Sequence, residues 1–380
     1  MRVAFPLKGN NMKNNFAKKV LVGILALFMV AFSVAFVGCN ADLKVVGSAK
    51  NVILLIGDGM GLEHLEAVKA YYGLESLNME TLTGYHGEVT TNSLNSDITD
   101  SSAASTALSC GQKTNNKSVA RLEGEDLENM AEYVTKYNMD MGIVVTEGIT
   151  GGTPASFASH AYDRSNGTNI FNGYMTSGVD LFISQYDETI LNERRMTAIG
   201  DAGYTYLSHQ DQLVESAYTH DKIFATVDEF NGYEEVGGAD LASTTTFAMN
   251  YLKQRTDNGF FLMVESSHID KHCHKGDFQE MAEELVAFDL AIKAAIEWAK
   301  ADGNTMVIVT ADHETGGLVY DSEADLTNPS AMLKTKEHSA TNVGVFIYGL
   351  NPDDLKEVTV IDNTDICKII RGYIANSRND

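Results

Sequence analysis

Short apolar runs alternating with helical periodicity predict an α/β protein, a three-layer α/β/α sandwich with helices on both faces of a mostly parallel sheet. Asn51 to Ile56 opens the pattern: it is almost wholly apolar and is stopped by Gly57-Asp58-Gly59, as a strand buried on both faces and entering a turn would be. A helix is expected from Leu62. Met141 to Val145, Phe260 to Val264 and Thr305 to Thr310 repeat the pattern, each ending beside polar residues. Between the last two, Met281, Leu285, Phe288, Ile292 and Ile296 recur at helical steps and form one apolar stripe on a long helix. Residues 48–380 contain no internal repeat, low-complexity tract or linker, so one domain is expected there. In such sheets chemistry gathers at the carboxyl ends of strands, which directs attention to the polar residues after each run.

Residues 1–38 concern address. They carry Arg2, Lys8, Lys13, Lys18 and Lys19 with no acid, and the apolar run Val20 to Gly38 ends at Cys39. This is the layout of an export signal, with Met12 as an alternative start. Phe36-Val37-Gly38-Cys39 resembles the lipobox of bacterial lipoproteins. It predicts cleavage before Cys39, lipidation there, and a membrane-anchored protein facing the periplasm or cell exterior, with residues 39–47 as a linker. An uncleaved signal anchor or a plain secretory signal would export the chain equally. Over the whole chain 28 Lys and Arg face 52 Asp and Glu, a net charge of −24; without the five signal cations, 23 face 52 and the balance is −29. No cation excess exists to neutralise a phosphate backbone, so nucleic-acid binding is not expected. Cys110, Cys273 and Cys367 remain, an odd number that argues against a disulfide framework and for buried thiols.

Five separated segments carry candidate chemistry. Ile56-Gly57-Asp58-Gly59-Met60-Gly61 places Asp58 at a strand end among glycines, where an acid serves either a turn or a metal. Thr99-Asp100-Ser101-Ser102 opens an Ala-rich stretch with helical character, whose first turn offers unpaired N–H groups and a positive dipole end; Asp100 or Ser101 also suits an ordinary N-cap. Gly151-Gly152-Thr153-Pro154 has Thr153 as a helix cap, and Arg164 downstream has a fork able to hold two phosphate oxygens or to make a surface ion pair. Glu265 to His274 packs two acids and three histidines after a strand, and Asp270 and His274 share one side of a helical turn. Asp312-His313 follows the strand Thr305 to Thr310, with His338 further on.

In this order the segments resemble the alkaline phosphatases from about Asn51 to Tyr348. The resemblance rests on Ile-Gly-Asp-Gly-Met-Gly, Thr-Asp-Ser before small residues, Thr-Pro-Ala with a following Arg, Glu265 with Asp270 and His274, Thr-Ala-Asp-His-Glu-Thr-Gly-Gly, and a late His. It implies hydrolysis of phosphate monoesters through a phosphoserine on Ser101, assisted by two zinc ions and one magnesium. Asp270, His274 and His338 would hold one zinc; Asp312, His313 and Asp58 would hold the other, completed by Ser101. Asp58 would also bridge to a magnesium bound by Thr153 and Glu265, and Arg164 would grip the phosphoryl oxygens. Ligand softness agrees, because imidazole appears only at the zinc positions. Charge agrees too: four clustered acids need cations, and three divalent ions with Arg164 turn a repulsive site into one that attracts phosphate. A homodimer, as several relatives form, is left open.

Departures from the family pattern are specific. Gly151 replaces an acid or histidine that several members place in the outer shell of the magnesium site. Lys271 matches some bacterial members, where it suggests a phosphate contact. Cys273 precedes the ligand His274, and His268 and His272 read as supporting or structural. Ser101 is preferred to Ser102 because it directly follows Asp100. With only about 25 residues from His313 to His338, the large surface insertion that some relatives place there is absent or minimal. A phosphodiesterase or sulfatase of the same superfamily would share the Asp and His ligands, but a sulfatase-type nucleophile context is missing and Arg164 suits a dianionic end. A non-catalytic metal- or phosphate-binding lipoprotein would leave the serine of the Ala-rich helix unexplained.

Overall fold

The computed structural model describes residues 45–233 and 238–378; the export segment 1–38 and most of the linker 39–47 lie outside the described residues. Ten strands form one sheet in the order Val360–Asp362, Tyr85–Thr90, Val343–Tyr348, Thr305–Thr310, Asn51–Gly57, Phe260–Ser266, Asp140–Val145, Leu181–Gln185, Ile223–Val227 and Thr205–Leu207. Every pairing is parallel except the two made by Val343–Tyr348, so all the other strands point the same way. The three central strands are buried along their whole length, as their near-continuous apolar sequences require.

Helices cover the sheet in two packed groups. Leu241–Arg255 lies against Phe278–Asp302, and Ser101–Cys110 lies against Gly152–Ala158 and Asn363–Asn376. The expected stripe of Met281, Leu285, Phe288, Ile292 and Ile296 is fully buried. Residue Asp100 caps the helix Ser101–Cys110 by accepting from the Ala103 N–H. One detail differs from expectation: Thr153 is not a cap but lies in the first turn of Gly152–Ala158, with Gly151 at the N-cap, so its hydroxyl is free to point out of the helix end. The strand Tyr85–Thr90, second from the sheet edge, alternates half-buried and exposed residues over its first four positions and carries His86, Gly87 and Glu88, which hides it among loops in a reading of apolar runs. Among the described residues no helix is long and apolar enough to cross a membrane.

Candidate metal centre

Sheet register brings distant segments to one level. Ile56 lies opposite both Glu265 and Thr310, and Glu265 lies opposite Val145, so residues that leave these strands meet at one edge. Asp58 arrives from the first strand, Asp312 and His313 from another, and Thr153 from the helix after the third.

In the first group, one ligand atom each from Asp58, Asp312 and His313 lies within 4.8 Å of the others, all on buried residues. His313 Nε2 is 3.3 Å from Asp312 Oδ2, 3.5 Å from Asp58 Oδ1 and 3.2 Å from Ser101 Oγ. Although Asp312 and His313 are adjacent, they converge, because Asp312 Oδ1 accepts the N–H groups of Gly59 (3.2 Å) and His313 (3.0 Å). This leaves Oδ2 facing inward, buried and without a hydrogen-bond partner.

The second group uses the helix His268–Lys275 and the short strand His338–Ser339, which pairs with Glu314–Thr315. His274 Nε2 is 3.3 Å from Asp270 Oδ2, His338 Nε2 is 3.6 Å from Asp270 Oδ1, and the two Nε2 atoms are 3.2 Å apart. Backbone carbonyls settle the tautomers. The carbonyl of Lys336 can only accept from His274 Nδ1, and that of Thr99 only from His338 Nδ1 at 2.9 Å, so each ring, when neutral, turns an Nε2 lone pair toward the other and toward the carboxylate. Three acceptors in such proximity repel unless a cation lies among them. Thr315 links the groups: its hydroxyl donates to Asp270 Oδ1 (2.5 Å) and accepts from His313 Nδ1 (3.2 Å). The His313 and His338 rings stack with centroids 3.6 Å apart, so the groups are neighbours.

A third set is all oxygen. Asp58 Oδ1, Thr153 Oγ1 and both carboxylate oxygens of Glu265 are buried without hydrogen-bond partners, a cost that a hard cation would remove. The donor chemistry therefore fits the implied ions: imidazole and carboxylate in two groups, oxygen alone in the third.

Electrostatics report the same strain. Burial, reinforced by the charges of Asp312, Asp270, Glu265 and Glu147, pushes the Asp58 carboxyl well above the ordinary range. Burial and then Glu147 and Asp312 do the same to Glu265. For Asp270, burial is outweighed by its hydrogen bond with His274, the charge of His313 and the Thr315 hydroxyl, and the group is held below the usual range. Its hydrogen bond to Asp270 raises His274 to about 9.

Other residues singled out by sequence find definite places. Arg164 Nη1 lies 3.3 Å from Asp100 Oδ2, while Asp100 Oδ1 accepts from the Ala103 and Lys117 N–H groups at 3.0 and 3.1 Å, so the residue that caps the Ser101 helix also anchors the arginine. It is Ser101, not Ser102, that stands beside His313. Lys271 pairs with Glu147 at 2.7 Å. The Cys273 thiol is buried 3.3 Å from His64 Nε2, outside both ligand groups. His268 lies 3.5 Å from Glu284, and neither it nor His272 joins a group. Cys110, Cys273 and Cys367 are free and buried. Sequence reasoning passed over Thr315, Glu147 and the double role of Asp100, although Glu147 stands just after the strand Asp140–Val145, the position that drew attention elsewhere.

Comparison with known proteins gives a consistent result. A family model described as alkaline phosphatase matches residues 49–222 and 202–332. Alkaline phosphatase 3 of Bacillus subtilis (strain 168) is 30% identical over 387 residues, covering 94% of this chain and 79% of that protein. The structure of alkaline phosphatase from the Antarctic bacterium TAB5 superposes with a TM-score of 0.76 at 29% identity, covering 88% of this chain and 99% of that one. A variant of that enzyme with magnesium bound in its M3 site matches equally, at 29% identity, TM-score 0.76 and the same coverage of 88% and 99%.

Proposed function

We propose that this chain, which belongs to the alkaline phosphatase family, hydrolyses phosphate monoesters to an alcohol and inorganic phosphate through a phosphoserine on Ser101. The observation that carries this reading is Ser101 Oγ, 3.2 Å from His313 Nε2 at the start of a helix whose cap also anchors Arg164. Ser101 Oγ attacks phosphorus as the bond to the alcohol oxygen breaks, and the alcohol leaves with a proton. Water then displaces phosphate from Ser101 and restores the hydroxyl. Arg164 binds phosphoryl oxygens with the part of its fork turned away from Asp100, and the positive end of the helix dipole favours the same anion. Two zinc ions, held by Asp270, His274 and His338 and by Asp58, Asp312 and His313, with a magnesium at Thr153, Glu265 and Asp58, would supply Lewis-acid charge and a more acidic serine hydroxyl. The magnesium of the Antarctic relative's variant supports the third assignment.

Because these contacts address the phosphoryl group and not the alcohol, a broad range of monoesters is expected. The basic and apolar residues 1–38 support export, with a lipid at Cys39. Phosphate release from a monoester and a matched diester tests the reading. The monoester should be preferred, and Ser101→Ala or chelation should abolish its turnover; unchanged monoester turnover in Ser101→Ala would refute the phosphoserine.

A further inference from the structure

Gly151 has no side chain with which to serve the all-oxygen set, yet the space a side chain would occupy there is full. A Cβ built on Gly151 would overlap Oε1 of Glu147, which enters from the loop after the strand Asp140–Val145. The other oxygen, Oε2, meets Lys271 Nζ at 2.7 Å, and only 18% of the Glu147 side chain is exposed. The charge of Glu147 bears on Glu265 more strongly than that of any other residue and also reaches Asp58. Nearby, Thr153 Oγ1 and both Glu265 oxygens have no hydrogen-bond partner. Glu147 and Lys271 together line a cleft of about 570 Å³ beside this site.

Resting on the assignment of Thr153, Glu265 and Asp58 to a hard cation, we infer that Glu147 supplies from a different chain position the outer carboxylate that Gly151 lacks, and through Lys271 ties that cation site to the cleft. Glu147 is a positioning residue: it orients and charges the site without touching the reacting atoms. In this pairing Lys271 competes with the cation for the Glu147 carboxylate. Loss of the carboxylate should weaken the site, and loss of the lysine should strengthen it.

The test is calorimetric titration of magnesium chloride into the zinc-loaded enzyme, with zinc per chain measured by mass spectrometry. Glu147→Gln should weaken magnesium binding about 10- to 100-fold, the cost typical of removing an outer partner, with zinc content unchanged. Returning the acid in the double variant Glu147→Ala with Gly151→Asp should restore binding to within about threefold, since Asp also suits the N-cap that Gly151 occupies. Lys271→Met, which leaves every acid in place, should tighten binding. Wild-type magnesium affinity in Glu147→Gln would overturn the inference; if that variant does not fold, unchanged affinity in Lys271→Met would do so. Absence of magnesium binding by the wild-type enzyme would instead remove the cation assignment beneath it.

Discussion

Replacing Arg164 separates chemistry from stability. Its ion pair with Asp100 spans 3.3 Å, longer than the roughly 2.7–2.9 Å of a strong charge-assisted bond. The side chains are 35% and 17% exposed, and a pair in such a setting contributes at most about 1 kcal/mol. Arg164→Ala should therefore fold with nearly wild-type stability. Its loss from the reacting complex is larger, because two charge-assisted hydrogen bonds to phosphoryl oxygens are worth about 3 to 6 kcal/mol together. At 1.4 kcal/mol per factor of ten, kcat/KM for a monoester should fall about 100- to 10,000-fold. Arg164→Lys keeps the charge but not the fork and should lose about 10- to 100-fold. The assay is steady-state hydrolysis of a chromogenic aryl monoester beside its diester, with inhibition by inorganic phosphate as a check on ground-state binding. The diester, with one ionised oxygen fewer, should lose less. A folded Arg164→Ala enzyme within about threefold of wild type on the monoester would refute the assigned role.

Further expectations address the supports of the site and the core. Thr315→Val keeps the shape but removes the hydroxyl between His313 and Asp270, so zinc should be stripped by a competing chelator at about 10- to 100-fold lower chelator concentration, while Thr315→Ser should resemble wild type. His64 is lowered from 6.5 to about 4 by burial, and its neutral form is the folded one. Stability from this group is complete above pH 6.5 and is lost as pH falls toward about 4, roughly 3 kcal/mol in all. Unfolding titrations should show a shallower loss over that window in His64→Gln, and an identical profile would argue against a buried neutral imidazole. Ile292→Ala, at a fully buried point of the long helix, should cost about 2–5 kcal/mol, read as a lower denaturant midpoint with unchanged slope.

Several inner residues of the site were legible because they stand at the end of a buried strand, as Asp58, Glu265 and Asp312 do, or in the first turn of a helix, as Ser101 and Thr153 do. Asp58 and Asp312 sit within two residues of apolar runs whose register the sheet then aligns. The i,i+4 spacing of Asp270 and His274 carried their shared side of a helix without any knowledge of the partner His338. Less was legible where local pattern and long-range pairing diverge. Val343–Tyr348 has the apolar composition of the central strands yet runs antiparallel to its neighbours, a direction that its composition does not distinguish. Strand order likewise depends on pairs far apart in the chain. Thr315 was hidden because its importance lies in two hydrogen bonds to residues on other elements. Glu147 was hidden because its meaning depends on the empty side-chain position at Gly151, which appears only when the loop and the helix are brought together.

The proposed convergence of His274, His313 and His338 on divalent ions beside Ser101 is most directly tested by anomalous diffraction on either side of the zinc absorption edge, from crystals grown with zinc and magnesium. Two zinc peaks are expected, one enclosed by Asp270, His274 and His338 and one by Asp58, Asp312 and His313. Zinc bound only elsewhere, with these imidazoles directed to other partners, would contradict the metal-assisted mechanism.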